Sequence, residues 1–453
     1  MKIQPKTFAI QDYLNQSFEC ECCKTHETAL KHVVIEPNAL EKVPQVMRSL
    51  GTKKAFVVSD VHTHQAAGEM LIKILQDAGI EVCNYTFPDE DLVPDEYALG
   101  RLLIALDPTC DLLIGVGTGS INDLCKFTAF KTGLSYCIVA TAPSMDGFAS
   151  SVAPLIVDHL KTTYEVGVAD AIIGDTKILS KAPMPMILAG IADILGKYTC
   201  LTDWKMANLI NGEYYCETIV EMVRLSLRAV VENIDRAVSR DEQTVGKIME
   251  ALVLTGIAMS FVGNSRPASG SEHHVSHYWE MMFLHEGKKA VLHGTKVGIG
   301  TVAVSQMYDW LWETPIDFEA ARQKARNWDR EEWEKNIRRA YPDAAEGVLA
   351  LERETGKNAP EGVLQRIDAI EKNFEQMKTF ARTWLPKSAT IHALLADHGA
   401  PVNPHEVGIS SQQIEDGVIY AKELRNRYGL LQILFDLGLI EPFAKRLTDF
   451  FDA

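Results

Sequence analysis

CDLLIGVGTGSINDLCKF (Cys110–Phe127) decides how this chain reads. An apolar run ends on Val116, glycines stand at 115, 117 and 119, and a helical pattern opens at about Ser120. A short apolar run closed by glycines is a buried strand, and the pattern after it changes to helical spacing. The third glycine of G-x-G-x-x-G would fall at Ser120, and no Gly-Lys-Ser/Thr follows, so neither common nucleotide fingerprint is present. The physics still points to phosphate. Glycines let the backbone approach a ligand closely, and a helix opening there presents unpaired N–H groups with partial positive charge.

Outward from this loop, strands and helices alternate. KKAFVVSD (Lys53–Asp60) is a strand followed by a helical stretch to about Gly79, and IEVCNYTF (Ile80–Phe87) is a second strand. SYCIVATAPS (Ser135–Ser144) is a strand ending in a loop, PLIVD and TTYEV form a hairpin, and AIIGDTKIL (Ala171–Leu179) closes the series. This order implies a mostly parallel sheet covered by helices. After Lys181 the proline-punctuated APMPM marks a joint, and the remainder repeats apolar residues at helical spacing. At 453 residues the chain exceeds a single core. The expected architecture is an α/β nucleotide-binding domain over 1–181 and an all-helical metal- and substrate-binding domain over 182–453. Ligands then sit at the carboxyl ends of the strands.

The net charge of −16 excludes nucleic acid and anionic membranes as partners. MKIQPKTFAIQDYLNQ lacks the apolar core of a leader, and no run approaches the ~20 apolar residues of a spanning helix. Nine cysteines, scattered mostly in apolar segments, suit reduced thiols in a cytoplasm. One group is denser: CECCKTH, with Cys20, Cys22, Cys23 and His26. These could close a tetrahedral zinc site, but the spacing is not that of two separated knuckles, and adjacent Cys22 and Cys23 point in different directions. The group reads as a reduced N-terminal turn.

Candidate site residues follow from their company. Asp60 ends a strand, where a carboxylate suits ribose hydroxyls and repels a 2′-phosphate, tilting the cofactor toward NAD over NADP. TAPSMDGFASS offers the hydroxyls of Thr141, Ser144 and Ser150 and the carboxylate of Asp146 beside Gly147. Asp193 lies inside an apolar helical run, where an unpaired carboxylate is costly. His273 and His277 share a helix face, His274 points roughly 100° away, and His293 sits beside glycines. One carboxylate and two imidazoles with an open position suit a divalent zinc, nickel or iron ion. Spacing leaves open whether His273 or His277 is the ligand.

GTGSI, TAPSMDGFASS, GIADILGKYT, SRPASGSEHHVSH and HGTKVGIGT, in this order, resemble the glycerol-1-phosphate dehydrogenases, most nearly the bacterial AraM type. These belong to the iron-alcohol-dehydrogenase and dehydroquinate-synthase superfamily, and the AraM type has a comparable cysteine-rich start. The resemblance covers roughly Asp60 to Thr301. It implies cofactor contacts at Asp60, Gly117, Thr118, Gly119, Ser120, Ile121, Thr141, Ser144 and Ser150. It implies metal ligands at Asp193, His273 and His293. Asp146, Asp193 and His277 match substrate-contacting positions, and His274 matches none. The implied reaction is reversible reduction of dihydroxyacetone phosphate to sn-glycerol 1-phosphate by NADH or NADPH in a homodimer, supplying a phosphoglycerolipid backbone. Asp193 and His277 are the catalytic candidates. Arg266 is the candidate for the substrate phosphate, because guanidinium binds phosphate bidentately. A glycerol dehydrogenase acting on unphosphorylated polyol is the alternative on the same fold, with a lyase using NAD catalytically and a non-catalytic binder behind it.

Overall fold

The computed structural model describes residues 9–15, 17–157 and 160–453. The opening residues 1–8, part of the segment read as lacking a leader, and Asp158, at the end of PLIVD, lie outside the described residues. Ten strands occur among those described: β1 (Ser17–Glu19), β2 (Thr25–Glu27), β3 (His32–Glu36), β4 (Lys54–Asp60), β5 (Glu81–Phe87), β6 (Leu112–Gly117), β7 (Ser135–Ala140), β8 (Val152–Val157), β9 (Leu160–Glu165) and β10 (Ala171–Asp175).

Six of them form one sheet in the order β3-β10-β7-β6-β4-β5, with every neighbouring pair parallel. β6 is buried along its whole length, as a central strand covered on both faces must be. Ala55 and Val57, Leu112, Ile114 and Val116, Cys137 and Val139, and Ala171 and Ile173 alternate along their strands into one core with Met47, Leu71 and Leu75 from covering helices. β8 and β9 pair antiparallel, the hairpin expected from PLIVD and TTYEV. β3 was not anticipated: HVVIE is short, lacks a glycine stop and joins the sheet edge only through β10.

The chain divides into two compact units, but not at Lys181. The sheet unit runs through Ile194 and resumes over Glu217–Ser265, while the helical unit comprises Leu195–Cys216 and Arg266–Ala453. Helical periodicity marks an apolar side without saying which neighbour covers it. The Glu242–Val262 helix packs on β2, β3 and the Gly147–Ala149 turn, so it belongs with the sheet. That helix and the stretch Met184–Asn211 are long and apolar enough to cross a bilayer by composition, which the sequence reading had not noted. In each, 78% of the apolar window is buried inside the fold, so the apolar surface is core.

The Met184–Leu195 helix presses directly onto the loop after β7. A Cβ added at Gly190 would lie 1.8 Å from the Pro143 carbonyl oxygen. A backbone atom cannot yield as a flexible side chain can, so the helix can approach only with glycine there. Alanine at this position gains about 1 kcal/mol of helix propensity but overpacks at a cost of about 1–3 kcal/mol or more. Gly190→Ala is expected to lower the urea midpoint of unfolding, and an unchanged or higher midpoint would show that the loop can retreat.

Candidate active site

In the sheet unit, β4, β6 and β7 are parallel neighbours, so their carboxyl ends bring Asp60, the Gly117–Ile121 loop and Thr141 to one edge. Thr141 N–H donates to the Gly117 carbonyl at 3.1 Å, tying two strand-end loops together. The helix after β6 spans Gly119–Thr132 with Thr118 at its N-cap, one residue earlier than the sequence suggested. A Cβ at Gly117 would meet the Ile121 side chain at 2.7 Å, so the turn is tight enough to demand glycine. Asp60 also caps a helix: its Oδ1 accepts the N–H groups of His62 and Thr63 at 2.9 and 2.8 Å.

The loop carrying Asp146 and Ser150 is fixed by a residue that sequence reasoning missed. Lys126, 2% exposed, donates its ammonium protons to the carbonyls of Gly147, Ser150 and Val152 at 3.0, 3.0 and 3.1 Å. It also reaches Ser150 Oγ at 3.3 Å, so that hydroxyl serves the loop itself. Burial pulls the Lys126 pKa down to about 8, opposed by nearby Asp123. Thr141 and Ser144 are buried at the same loop. Asp146 N–H donates to Asp193 Oδ2 at 3.0 Å, and Asp193 is fully buried.

In the helical unit, the Ser271–His285 helix presents His273 and His277 with ring centroids 6.1 Å apart. His293, the first residue of the His293–Leu311 helix, places its ring 5.3 Å from His273 and 5.7 Å from His277. Three imidazoles therefore converge within this unit. The fully buried Glu272 orients His273, with Oε1 2.7 Å from Nδ1, and also accepts from Thr199 Oγ1 and Gly270 N–H, each at 2.7 Å. Burial raises the Glu272 pKa, but the bonds from His273, Thr199 and Gly270 prevail and hold it below the ordinary range. Glu280 Oε2 lies 3.5 Å from His277 Nδ1, and Lys296 Nζ lies 3.5 Å from Glu280 Oε1. Sequence reading missed Glu272, Glu280 and Lys296; the one available signal was acids and a lysine at helical spacing from the histidines.

The arginine expected to bind phosphate is committed elsewhere. Arg266 Nε and Nη2 donate to the two Glu213 oxygens at 2.6 and 2.5 Å, and Nη1 donates to the Tyr428 carbonyl at 2.8 Å. Its fork braces the segment after Arg425 and Arg427. That segment is held from the other side by Lys357, whose ammonium donates to the Arg425 carbonyl at 3.2 Å. Arg427 Nη1 is shut off from solvent without a hydrogen-bond partner, as is Nε2 of His274, itself 4% exposed. Burial pulls the pKa of Arg425 down with no acid opposing it, and lowers Arg427 to about 9 together with Arg425 and Arg266. Burial and then the charges of Arg425, Arg427 and Lys357 push His274 well below its ordinary value, which places these cations around it.

Asp203 ties these parts together. Its Oδ2 accepts Ser271 N–H at 2.7 Å and Ser271 Oγ–H at 2.6 Å, while Oδ1 accepts the Tyr308 hydroxyl at 2.5 Å and Leu430 N–H at 3.0 Å.

The iron-containing alcohol dehydrogenase family matches residues 34–183. The glycerol-1-phosphate dehydrogenase [NAD(P)+] of Halalkalibacterium halodurans is 31% identical over 420 residues, 92% of this chain and 95% of that protein. The Geobacillus thermodenitrificans protein of the same name is 31% identical over 427 residues, 93% and 96%. Among solved structures, a probable glycerol dehydrogenase from Sinorhizobium meliloti superposes with a TM-score of 0.61 at 17% identity, covering 93% of this chain and 98% of that one. That likeness bears on fold alone.

Asp203 makes a testable hub. Burial, then the charge of Glu272, pushes its carboxyl from 3.8 up to about 6, against the bonds from Ser271 and Tyr308. The folded state thus holds this proton where the unfolded chain has lost it, so the group's contribution is full below the lower value and lost as pH rises through the upper one. Asp203→Asn turns an amide N–H₂ toward inward-facing donors and is expected to cost about 2–3 kcal/mol in urea unfolding. The deficit should be larger at pH 4 than at pH 7. A variant as stable as the wild type at both values would show the carboxylate to be dispensable.

Proposed function

The chain belongs to the glycerol-1-phosphate dehydrogenases, and we propose that it interconverts dihydroxyacetone phosphate and sn-glycerol 1-phosphate with a nicotinamide cofactor. Similarity over nine-tenths of the chain carries the proposal, and the imidazole cluster gives it a chemical centre. We assign the metal to Asp193, His273 and His293. The donors fit a divalent zinc, nickel or iron ion, because a carboxylate already orients His273 at Nδ1, as ligating histidines are oriented, making Nε2 the coordinating atom. When bound, the ion supplies Lewis acidity at the C2 carbonyl, and the nicotinamide supplies hydride.

The chain's own residues do the rest. The Gly119–Thr132 helix end and the hydroxyls of Thr141 and Ser144 bind the cofactor, and Asp60 meets the ribose, favouring NAD. Asp146, anchored through its N–H to Asp193, binds substrate hydroxyl. His277 holds the proton exchanged with the C2 oxygen, and the Glu280 carboxylate 3.5 Å from its Nδ1 favours the protonated ring that delivers it. Arg425, Arg427 and His274 take the substrate phosphate, the role first expected of Arg266, because half-buried guanidiniums whose desolvation is not outweighed by a carboxylate are stabilised by an anion. This last assignment separates the proposal from a polyol dehydrogenase, which has no use for a cluster of half-buried arginines. As in the family resemblance, the working form would be a cytoplasmic homodimer feeding a phosphoglycerolipid.

The holoenzyme is expected to oxidise NADH with dihydroxyacetone phosphate and to lose that activity on chelation. His273→Ala should empty the catalytic metal, whereas His277→Ala should keep it and lose turnover. Equal metal loss in both would overturn the ligand assignment. Arg427→Ala should raise KM for dihydroxyacetone phosphate by about 10- to 100-fold, the loss of one or two charge-assisted hydrogen bonds. An unchanged KM would remove phosphate from this segment.

A further inference from the structure

The CECCKTH segment has no part in the chemistry above, yet the structure builds it with care. β1 and β2 pair antiparallel from Ser17↔Glu27 to Glu19↔Thr25, forming a hairpin around the cysteines. Its turn is closed by Cys20 N–H to the Lys24 carbonyl and Cys23 N–H to the Cys20 carbonyl, both at 3.0 Å. Cys23 takes the left-handed conformation at φ 64° and is exposed, so it turns away from its neighbours. Cys20, Cys22 and His26 do the opposite: each offers a ligand atom within 4.8 Å of the others.

His26 is the informative member. It is fully buried, and its Nδ1 lies 2.8 Å from the Phe261 carbonyl oxygen. A carbonyl only accepts, so Nδ1 carries the proton and Nε2 carries the lone pair. That lone pair faces sulfur, with Cys22 Sγ 3.3 Å from Nε2. An imidazole whose distal nitrogen is fixed by a backbone carbonyl while the other points into thiols is oriented as a metal ligand is. The rings of Phe18 and Phe261 flank it at 5.2 and 5.9 Å, excluding water.

The fourth donor follows from the chain. Cys20 Sγ donates to Thr218 Oγ1 at 3.4 Å, and Thr218 lies in the first turn of the Glu217–Val231 helix. Cys216 precedes that helix, two residues before Thr218, and is 1% exposed. Three thiols and an imidazole make a soft, closed donor set with no position for substrate. A zinc tetrahedron with Zn–S bonds of ~2.3 Å has edges of ~3.8 Å, so the donor atoms of Cys20, Cys22 and His26, which lie within 4.8 Å of one another, are already close to that spacing.

We propose that Cys20, Cys22, His26 and Cys216 bind a structural zinc-class ion, distinct from the catalytic metal and tying the hairpin to the helix that follows Cys216. A hairpin of two three-residue strands is marginal by itself, and a metal tie supplies what its core cannot.

Cobalt distinguishes the two sites, since only thiolates give a sulfur-to-metal charge-transfer band in the near ultraviolet. Full-length wild type refilled with Co²⁺ should show that band, and so should Cys23→Ala. His273→Ala should retain the band and one equivalent of metal, because only the Asp/His/His site is emptied. Cys22→Ala should lose the band, and Cys216→Ala should weaken or lose it even if its fold holds. Absence of the band from wild type, or its persistence in Cys22→Ala, overturns the proposal. So does a Cys20–Cys22 disulfide found by mass spectrometry in protein kept under reducing conditions. None of these outcomes depends on which substrate the enzyme turns over.

Discussion

The carboxylate of Asp203 is the constraint on which the helical unit depends. It fixes the start of the helix that carries His273, His274 and His277 through Ser271, and the helix that begins at His293 through Tyr308. It also fixes the backbone that leaves the arginine segment through Leu430. A buried carboxylate costs several kcal/mol to desolvate. Four donors to its two oxygens offset that cost, at about 1.5–3 kcal/mol each for bonds to a charged acceptor. A group of small net worth to stability can thus be of large worth to geometry, because any shift of one helix breaks a bond in a dry site.

Charge placement extends the same economy. The whole chain carries −16, which would repel both a triose phosphate and a dinucleotide. The two units answer this differently. In the sheet unit, the groups proposed to face phosphate are backbone N–H and hydroxyl, and Lys126, the one cation buried among the described residues there, is spent on carbonyls that shape a loop. In the helical unit, Lys296 is balanced by Glu280 and Arg266 by Glu213. Burial of Arg425 is opposed by no acid, and at Arg427 the charge of Glu213, which already pairs with Arg266, does not outweigh burial.

What could be read beforehand follows from what periodicity encodes. β4, β6, β7 and β10 were legible because parallel strands buried on both faces are continuous apolar runs, closed by an acid in β4 and β10, by glycine in β6 and by a proline-bearing loop after β7. The histidine spacing was legible because three and four residues return to one helix face. The domain boundary was not, since the Glu242–Val262 helix looks the same whether it covers a sheet or another helix. Arg266 misled because its chemistry suits phosphate as well as it suits Glu213, and only the fold shows which anion it meets. Asp203, in TDWKM, resembles an ordinary solvated acid on a helix, and Arg425 and Arg427 resemble a charged tail. Burial of polar groups is a tertiary property, and no local pattern announces it.

The cysteine cluster shows the same limit from the other direction. Within CECCKTH the adjacent pair Cys22–Cys23 argued against a metal, because neighbours on a strand or turn diverge. The divergence is real, and it removes only Cys23. The decisive features are the Phe261 carbonyl that sets the His26 tautomer and a helix start reached by Cys20, both more than 190 residues away in sequence. Donor softness then separates the two sets of candidate ligands. Asp193, His273 and His293 mix oxygen and nitrogen and suit an open, exchangeable Lewis acid, whereas thiolates hold zinc tightly and leave no place for a carbonyl. One chain can therefore keep a structural ion and a catalytic one apart by ligand chemistry alone, without relying on relative affinity for a single metal.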